Sequence, residues 1–265
     1  GGMVATTPIN WALGFVSWRG VFLILGAMTL IIAVMLYFSP RHPNEVHTGE
    51  TIGSQLKGTA KIATSASFWR LAPIAVLGQA TYLALNSLWI GPWYQDVGGM
   101  SPDAVPNLLF ICSFAITIGY LCNGFIANFF KSKLGTRVIT VTLVSMSIYT
   151  ALLGAVILFP QYGTILWPLF VLLGPFSLLT YPIFSSMFDS SLSGRAQTTY
   201  NMLVFVMSTV IQSGIGWIID MFEPTATGGY NPQGYQVALT IVFISLALSI
   251  VWCIFYRRNK EKITY

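Results

Sequence analysis

The sequence predicts an all-α membrane protein. Of its residues, 55% are hydrophobic and only 8% are charged, whereas soluble domains carry about 25% charged residues. Mean hydropathy is +0.71, and several apolar runs reach the roughly 20 residues that a helix needs to cross a bilayer. The runs are continuously apolar, without the alternation that marks a transmembrane β-barrel. We therefore expect a polytopic bundle of helices.

The first apolar segment lacks a basic n-region and a signal-peptide cleavage pattern. We therefore expect the chain to begin inside a transmembrane helix. Seven complete spans follow it. Their predicted limits are residues 20–38, 68–89, 105–130, 138–159, 164–188, 201–221 and 237–256.

The basic residues predict the orientation of these spans. Successive connections between spans lie on alternate sides of the membrane. All of the 13 lysines and arginines except Arg19 fall in the connections predicted for one side. They are Arg41, Lys57, Lys61, Arg70, Lys131, Lys133, Arg137, Arg195, Arg257, Arg258, Lys260 and Lys262. Because basic loops stay in the cytoplasm, the linker and the C-terminus are expected inside, and loops 90–104, 160–163 and 222–236 outside. This also explains the net charge of +5 without nucleic acid.

One connection is long and polar, and it predicts a division of the chain. Residues 39–67 form a cytoplasmic linker between residues 1–38 and a bundle at 68–256, with a basic tail at 257–265. The linker holds His42 and His47, for which a solvated linker is favoured over a metal site or a pH sensor. Cysteines occur only within apolar spans and without a metal-ligand spacing, so we predict no metal and no cofactor.

Amides are concentrated in a few spans, and their spacing places them on helix faces. At about 100° per residue, positions three and four apart share a face. Three such sets are Gln79, Tyr82, Asn86, Trp89 and Trp93; Ser113, Thr117, Tyr120, Gly124 and Asn128; and Asn201, Phe205, Ser208, Gln212 and Gly216. Polar side chains at membrane depth usually face protein or a water-filled cavity, so these faces predict an aqueous pathway.

Two alternatives stay open for these sets. Small and polar residues also mediate helix packing in lipid, which would explain the 113–128 set equally well. Trp89 and Trp93 could lie in the aromatic belt at the membrane interface, and for Trp93 this is the favoured alternative.

The span at 164–188 carries Pro168, Pro175 and Pro182, each seven residues apart. Proline removes a helical hydrogen bond and bends the helix. We therefore predict a repeatedly bent helix that acts as a moving gate, with Tyr181 as its polar contact residue. No complete span has a charged residue at its middle, so the sequence shows no intramembrane proton relay.

Three short motifs resemble those of a known family. Ser17-Trp18-Arg19-Gly20 is similar to the turn before the family's sixth helix, and the residues from Gly124 to Arg137 resemble its basic loop between helices eight and nine, with Asn128 in place of an acid. The segment SGRAQTTYN, residues 193–201, looks like the entry to helix eleven in many bacterial members. In this order, with the linker and the charge pattern, they resemble the major facilitator superfamily from its fifth helix onward.

The resemblance implies an MFS-type helical bundle. Residues 1–38 would be the end of helix five and helix six of the N-terminal half, and residues 68–256 the C-terminal six-helix half, with helices seven, eight, ten and eleven lining the cavity. Residues 7–12, TPINWA, lack the glycine pair of the drug/proton antiporter signature, so an antiporter of that type loses support.

The predicted function is secondary active transport of a small solute by alternating access, with ion (proton) coupling as symport or antiport. The expected substrate contacts are Gln79, Tyr82, Asn86, Trp89, Tyr120, Tyr181 and Gln212. The expected cytoplasmic latch comprises Asn128, Lys131, Lys133, Arg137, Asp189 and Arg195, although these basic residues could equally be ordinary positive-inside charges.

The expected partners are the solute, the lipid bilayer and the N-terminal half of the same transporter, in a bacterial inner (plasma) membrane. A transporter-like sensor that moves no solute is the alternative. A membrane enzyme ranks below it because the spans offer no clustered catalytic groups.

Overall fold

The computed structural model describes residues 7–38, 52–135, 137–225 and 228–256. All regular structure in these ranges is helical. The α-helices are α1 (Thr7–Ala12), α2 (Trp18–Tyr37), α3 (Ile52–Ala63), α4 (Ala66–Ala84), α5 (Ile90–Asp96), α6 (Val105–Leu134), α7 (Val138–Leu158), α8 (Gly163–Leu173), α9 (Thr180–Ser186), α10 (Ser190–Ile219) and α11 (Pro232–Phe255).

Seven helical stretches of the described chain are long and apolar enough to cross a membrane, which confirms the all-α membrane fold. They are Trp18–Tyr37, Ala66–Asp96, Val105–Lys133, Val138–Leu158, Pro160–Ser186, Ser190–Ile219 and Pro232–Phe255. The two largest differences from the sequence prediction are that the second stretch continues to Asp96 through a π-helical turn and that the sixth begins at Ser190 instead of residue 201. The fifth and seventh stretches begin four and five residues earlier than predicted, at Pro160 and Pro232.

The early start of α10 has a clear cause. Ala196, Thr199 and Tyr200 are buried at helical spacing, so the segment assigned to a loop packs as the first turns of a helix. The sequence prediction was misled by the polar residues that share these turns.

Short polar motifs fix several helix ends. The Ser17 side chain accepts a hydrogen bond from the Gly20 amide and caps α2. The Ser65 side chain accepts a hydrogen bond from the Phe68 amide and caps α4. Gly135, with φ of 61°, ends α6 in the left-handed conformation that glycine tolerates.

The predicted linker contains a helix that the sequence analysis did not identify. In α3, Gly58 and Ile62 are buried against the bundle, and the Trp69 indole donates a hydrogen bond to the Ala63 carbonyl. His42, His47 and the basic tail at 257–265 lie outside the described residues. The division into two bundle parts stays a prediction.

Packing centres on α4, which contacts α10 and α11, while α6 contacts α8 and α7 contacts α8 and α11. Inside the bundle the Tyr149 ring stacks on Phe170 with centroids 4.1 Å apart. No residue of α2 is buried. The described chain therefore has one compact group of helices and one apolar helix outside it.

The proline-rich span is divided into α8, a 3-10 segment at Gly174–Leu179, and α9. Pro175 is the second residue of the 3-10 segment, where the α-helical pattern stops. Pro168 lies inside α8, and Pro182 lies in α9. Bends at these three prolines, and motion about them, stay predictions.

Candidate functional site

The first predicted polar face runs through a change of helix type. Gln79 and Tyr82 lie on α4, whereas Asn86 and Trp89 lie in the π-helical turn Leu85–Trp89. A π turn closes on i→i+5 hydrogen bonds and therefore holds one more residue than an α turn. The regular spacing consequently does not keep all five side chains on one face, and they contact different neighbours.

The inner part of the face belongs to an amide–tyrosine network formed by Gln79, Tyr181, Tyr200 and Asn201. The Tyr200 hydroxyl lies 2.6 Å from Gln79 Oε1 and 3.2 Å from the Ala75 carbonyl oxygen, and donates to both. The Tyr181 hydroxyl donates to Asn201 Oδ1 at 2.8 Å, and Gln79 lies beside it. The network therefore joins α4, α9 and α10 without a charged group.

Tyr82 extends this polar region toward α6. Its ring lies against Gly174 at a distance that leaves no space for a Cβ atom there, so the 3-10 segment and Tyr82 are in direct contact. The Tyr82 hydroxyl lies next to that of Tyr120. Tyr82 is buried, but Tyr120 is 49% exposed, so this pair reaches the surface of the described bundle.

The outer part of the face is built mainly of packed rings. Trp89 Nε1 donates to the backbone carbonyl of Gln212 at 3.1 Å, and its ring contacts Tyr235 and Tyr230. Trp93 is 2% exposed and packs on Trp167 with centroids 5.5 Å apart. Trp93 therefore packs inside the described bundle, and its depth relative to the membrane interface stays a prediction. Asn86 and Gln212 are half-buried.

The second predicted set forms an outward face of α6. Thr117, Tyr120, Gly124 and Asn128 are exposed, and Ser113 is half-buried. The helix packs instead through its neighbouring face, where Asn123 Nδ2 donates to the Pro175 carbonyl at 2.7 Å. Packing within the described bundle thus does not explain the 113–128 set.

The predicted latch residues lie at helix ends. Asn128, Lys131, Lys133, Arg137 and Asp189 are exposed. Arg195 is half-buried, and its side chain lies directly over Gly58 of α3. The structure thus brings Arg195 onto the linker helix. Pairing among the six residues stays a prediction.

Sequence analysis missed two residues that organise this region. Tyr200 fell in the segment assigned to a loop; its spacing of four from Ala196 and from Val204 is the signal that could have identified it. Asn123 lies outside the predicted faces, yet it bonds Pro175, and its buried Oδ1 has no partner. The described residues hold no group of three His, Cys, Asp or Glu side chains suited to a metal. The region therefore contains uncharged amide and hydroxyl groups for hydrogen bonding, together with the surfaces of aromatic rings.

Comparison with known proteins gives the family. A family model described as Major Facilitator Superfamily matches residues 1–216, and no curated protein matches the chain. A similar solved structure is that of a bacterial homologue of the human lysosomal transporter Spinster, in an inward-facing and unoccupied conformation. The identity is 15% and the TM-score 0.54, over 96% of this chain and 63% of that one.

This chain thus spans less than two thirds of that structure's length. The likeness shows the fold, and the family model covers most of the chain. The chain is an integral, multi-pass membrane protein that belongs to the Major Facilitator Superfamily.

Proposed function

We propose that this chain is part of a secondary active transporter that moves a small solute by alternating access. One observation carries the proposal. An uncharged amide–tyrosine network joins α4, α9 and α10 beside the exposed polar face of α6. Hydroxyl and amide groups facing lipid would be costly, so this region is expected to line an aqueous cavity. Membership of a transporter family supports the same conclusion.

The solute would be held by Gln79, Tyr82, Asn86, Trp89, Tyr120, Tyr181 and Gln212. Tyr200 adds a positioning role to this set. Because its hydroxyl donates to Gln79 Oε1, the Gln79 amide has its oxygen occupied and its N–H₂ group directed elsewhere. The exposed Tyr120 hydroxyl is a further polar group at the edge of the same region. These groups suit a neutral or amphipathic solute with polar atoms.

Alternating access requires a second half-bundle, which the N-terminal half of the same transporter would supply. Two features support this. The α2 helix is apolar and without buried residues, and the polar face of α6 is uncovered by the compact bundle. The Spinster homologue, a transporter in an inward-facing conformation, is similar in fold. The 3-10 break at Gly174–Leu179 would bend during gating.

The orientation in the membrane, the coupling ion and the cytoplasmic latch are part of the same proposal. The linker and C-terminus would be cytoplasmic in a bacterial inner membrane, because the basic residues cluster on that side. Protons would couple transport by symport or antiport. Lys131, Lys133, Arg137, Asp189, Arg195 and Asn128 would form the cytoplasmic latch.

The test uses the full-length parent in liposomes that enclose a pH dye. A panel of sugars, amino acids, organic acids and cationic drugs is added outside, and proton movement is recorded. Wild type is compared with Gln79→Ala and Asn86→Ala. Solute-dependent proton movement that both variants lose is the expected result, because each removes a cavity amide.

Gln161→Ala is the matched control, since it removes an exposed amide from the turn before α8. Movement unchanged in Gln79→Ala and Asn86→Ala would place the site elsewhere. Specific binding of a solute without any flux would replace the transporter with a sensor.

A further inference from the structure

We propose that α3 and the adjoining ends of α4 and α11 form a binding surface for anionic phospholipid headgroups. This headgroup surface consists of Lys57, Lys61, Trp69, Arg70 and Trp252. It lies apart from the amide–tyrosine network and does not depend on which solute is transported.

The first argument is the position of α3. Only two residues separate its end at Ala63 from α4, and the Trp69 indole donates to the Ala63 carbonyl at 2.6 Å. Ile62 is fully buried, and Gly58 lies against the Arg195 side chain of α10. The helix is therefore held against α4 and α10, and its contacts lie in the first turns of these two membrane-spanning helices, where bilayer headgroups are expected.

The second argument is the positive charge carried by α3 and the start of α4. Residues 51–95 include Lys57, Lys61 and Arg70 but no aspartate or glutamate. Lys57 and Lys61 are exposed, and their spacing of four residues places them on the same side of α3. Arg70 is half-buried, and its Nε atom is buried without a hydrogen-bond partner in the described chain. A buried guanidinium nitrogen without a hydrogen-bond partner is costly, so an external anion would stabilise this arrangement.

The third argument identifies the anion as part of a lipid. Trp69 and Trp252 are 41% and 45% exposed, and the Trp252 indole donates to the Trp69 carbonyl at 2.9 Å. The Trp252 ring also stacks on Tyr256 with centroids 4.5 Å apart. Partly exposed tryptophans with fixed indole groups are typical of the headgroup level of a membrane. On α3 itself, Leu56 is 66% exposed, as expected for a helix that lies in the interface with apolar side chains toward the acyl region.

The test is a titration of the full-length protein in neutral detergent, with bound lipids counted by native mass spectrometry. Phosphatidylglycerol is the anionic probe and phosphatidylcholine the neutral one. Wild type should bind phosphatidylglycerol more tightly. The double variant Lys57→Gln/Lys61→Gln should weaken that binding about thirtyfold at low salt, as two interfacial cations predict.

The matched control is Lys131→Gln/Lys133→Gln, which removes the same charge from the exposed end of α6 and should leave the tight site unchanged. If both double variants weakened phosphatidylglycerol binding equally, the binding would depend on overall surface charge and not on this site, and the proposal would be overturned. Equal binding of the two lipids to wild type would also overturn it.

Two further measurements separate the remaining outcomes. Trp69→Phe keeps an aromatic ring but loses the bond to Ala63, so it should weaken phosphatidylglycerol binding without changing the charge. Inorganic phosphate at the same concentration should not displace the lipid, and displacement would make this a site for free anions instead. Thermal unfolding in phosphatidylcholine should be the same for wild type and both lysine double variants, and if Lys57→Gln/Lys61→Gln unfolds early it is replaced by the single change Lys57→Gln.

Discussion

Two faces of α6 carry the same kinds of residue and meet opposite surroundings. The packed face consists of Cys112, Ala115, Ile116, Gly119, Asn123 and Ala127, all buried. The polar face consists of Ser113, Thr117, Tyr120, Gly124 and Asn128, exposed or half-buried. Each face includes one glycine and one asparagine.

The difference lies in what each pair touches. A Cβ atom at Gly119 would collide with the Leu172 backbone carbonyl, and Asn123 bonds the Pro175 carbonyl. A Cβ atom at Gly124 would meet nothing within 4 Å. A helix face of small and polar residues can therefore either pack closely against a broken helix or face open space. Composition alone does not distinguish the two cases.

The largest expected effect separates the two glycines. Gly119→Ala should lower the free energy of unfolding by about 1–3 kcal/mol, because backbone atoms must move to admit the methyl group. Gly124→Ala should be neutral or slightly stabilising, since alanine favours helix and has space. Thermal unfolding of the full-length parent in detergent measures both. Similar losses in the two variants would break the comparison.

The two asparagines should differ by less. Asn123→Ala removes the donor to the Pro175 carbonyl, a loss of about 1–3 kcal/mol for a buried unpaired group. It also removes the buried, unpartnered Asn123 Oδ1, so the net destabilisation should be about 1 kcal/mol. Asn128→Ala on the exposed face should stay within about 0.5 kcal/mol of wild type. Chemical denaturation of the same preparations gives both values, and a destabilised Asn128→Ala would show that the polar face is packed.

The smallest effect on stability is expected at Tyr120. Tyr120→Phe keeps the ring and removes a hydroxyl from a 49% exposed residue that neighbours Tyr82, so the free energy of unfolding should change by less than about 0.5 kcal/mol. If the polar face lines the cavity, the KM for transport should rise about threefold to tenfold, as for loss of one neutral hydrogen bond. Tyr162→Phe, an exposed tyrosine between α7 and α8, serves as the control. An unaltered KM in Tyr120→Phe would remove this residue from the solute site.

The number and type of the membrane spans could be predicted from the sequence, because continuous apolar runs leave few alternatives to helices in lipid. Helix ends were harder. The first turns of α10 are polar in composition, and only the buried spacing of Ala196 and Tyr200 shows that they are helical. The linker helix α3 was missed because it is short, mixes glycine and polar residues with its apolar ones, and is held in place by contacts with α10 and Trp69.

The candidate site could be predicted only in part. Gln79, Tyr181 and Asn201 were singled out by their polarity, and the structure brings them into one network. Tyr200 and Asn123 were not, because their importance comes from partners far away in sequence, at Gln79 and Pro175. Trp93 packs on Trp167 inside the bundle, a long-range contact that spacing along one helix does not reveal.

That π turn at Leu85–Trp89 gives the helix an internal degree of freedom. A wide turn can migrate along a helix by exchanging hydrogen-bond partners one at a time, without unwinding either end. Each residue that it passes would rotate by about 100°, the angle of one helical step. Asn86 and Trp89 would then turn together relative to the bundle, while Gln79 and Trp93, on the flanking α-helices, kept their contacts. Such a change would re-aim a binding surface by rotation of a few side chains, with no displacement of whole helices.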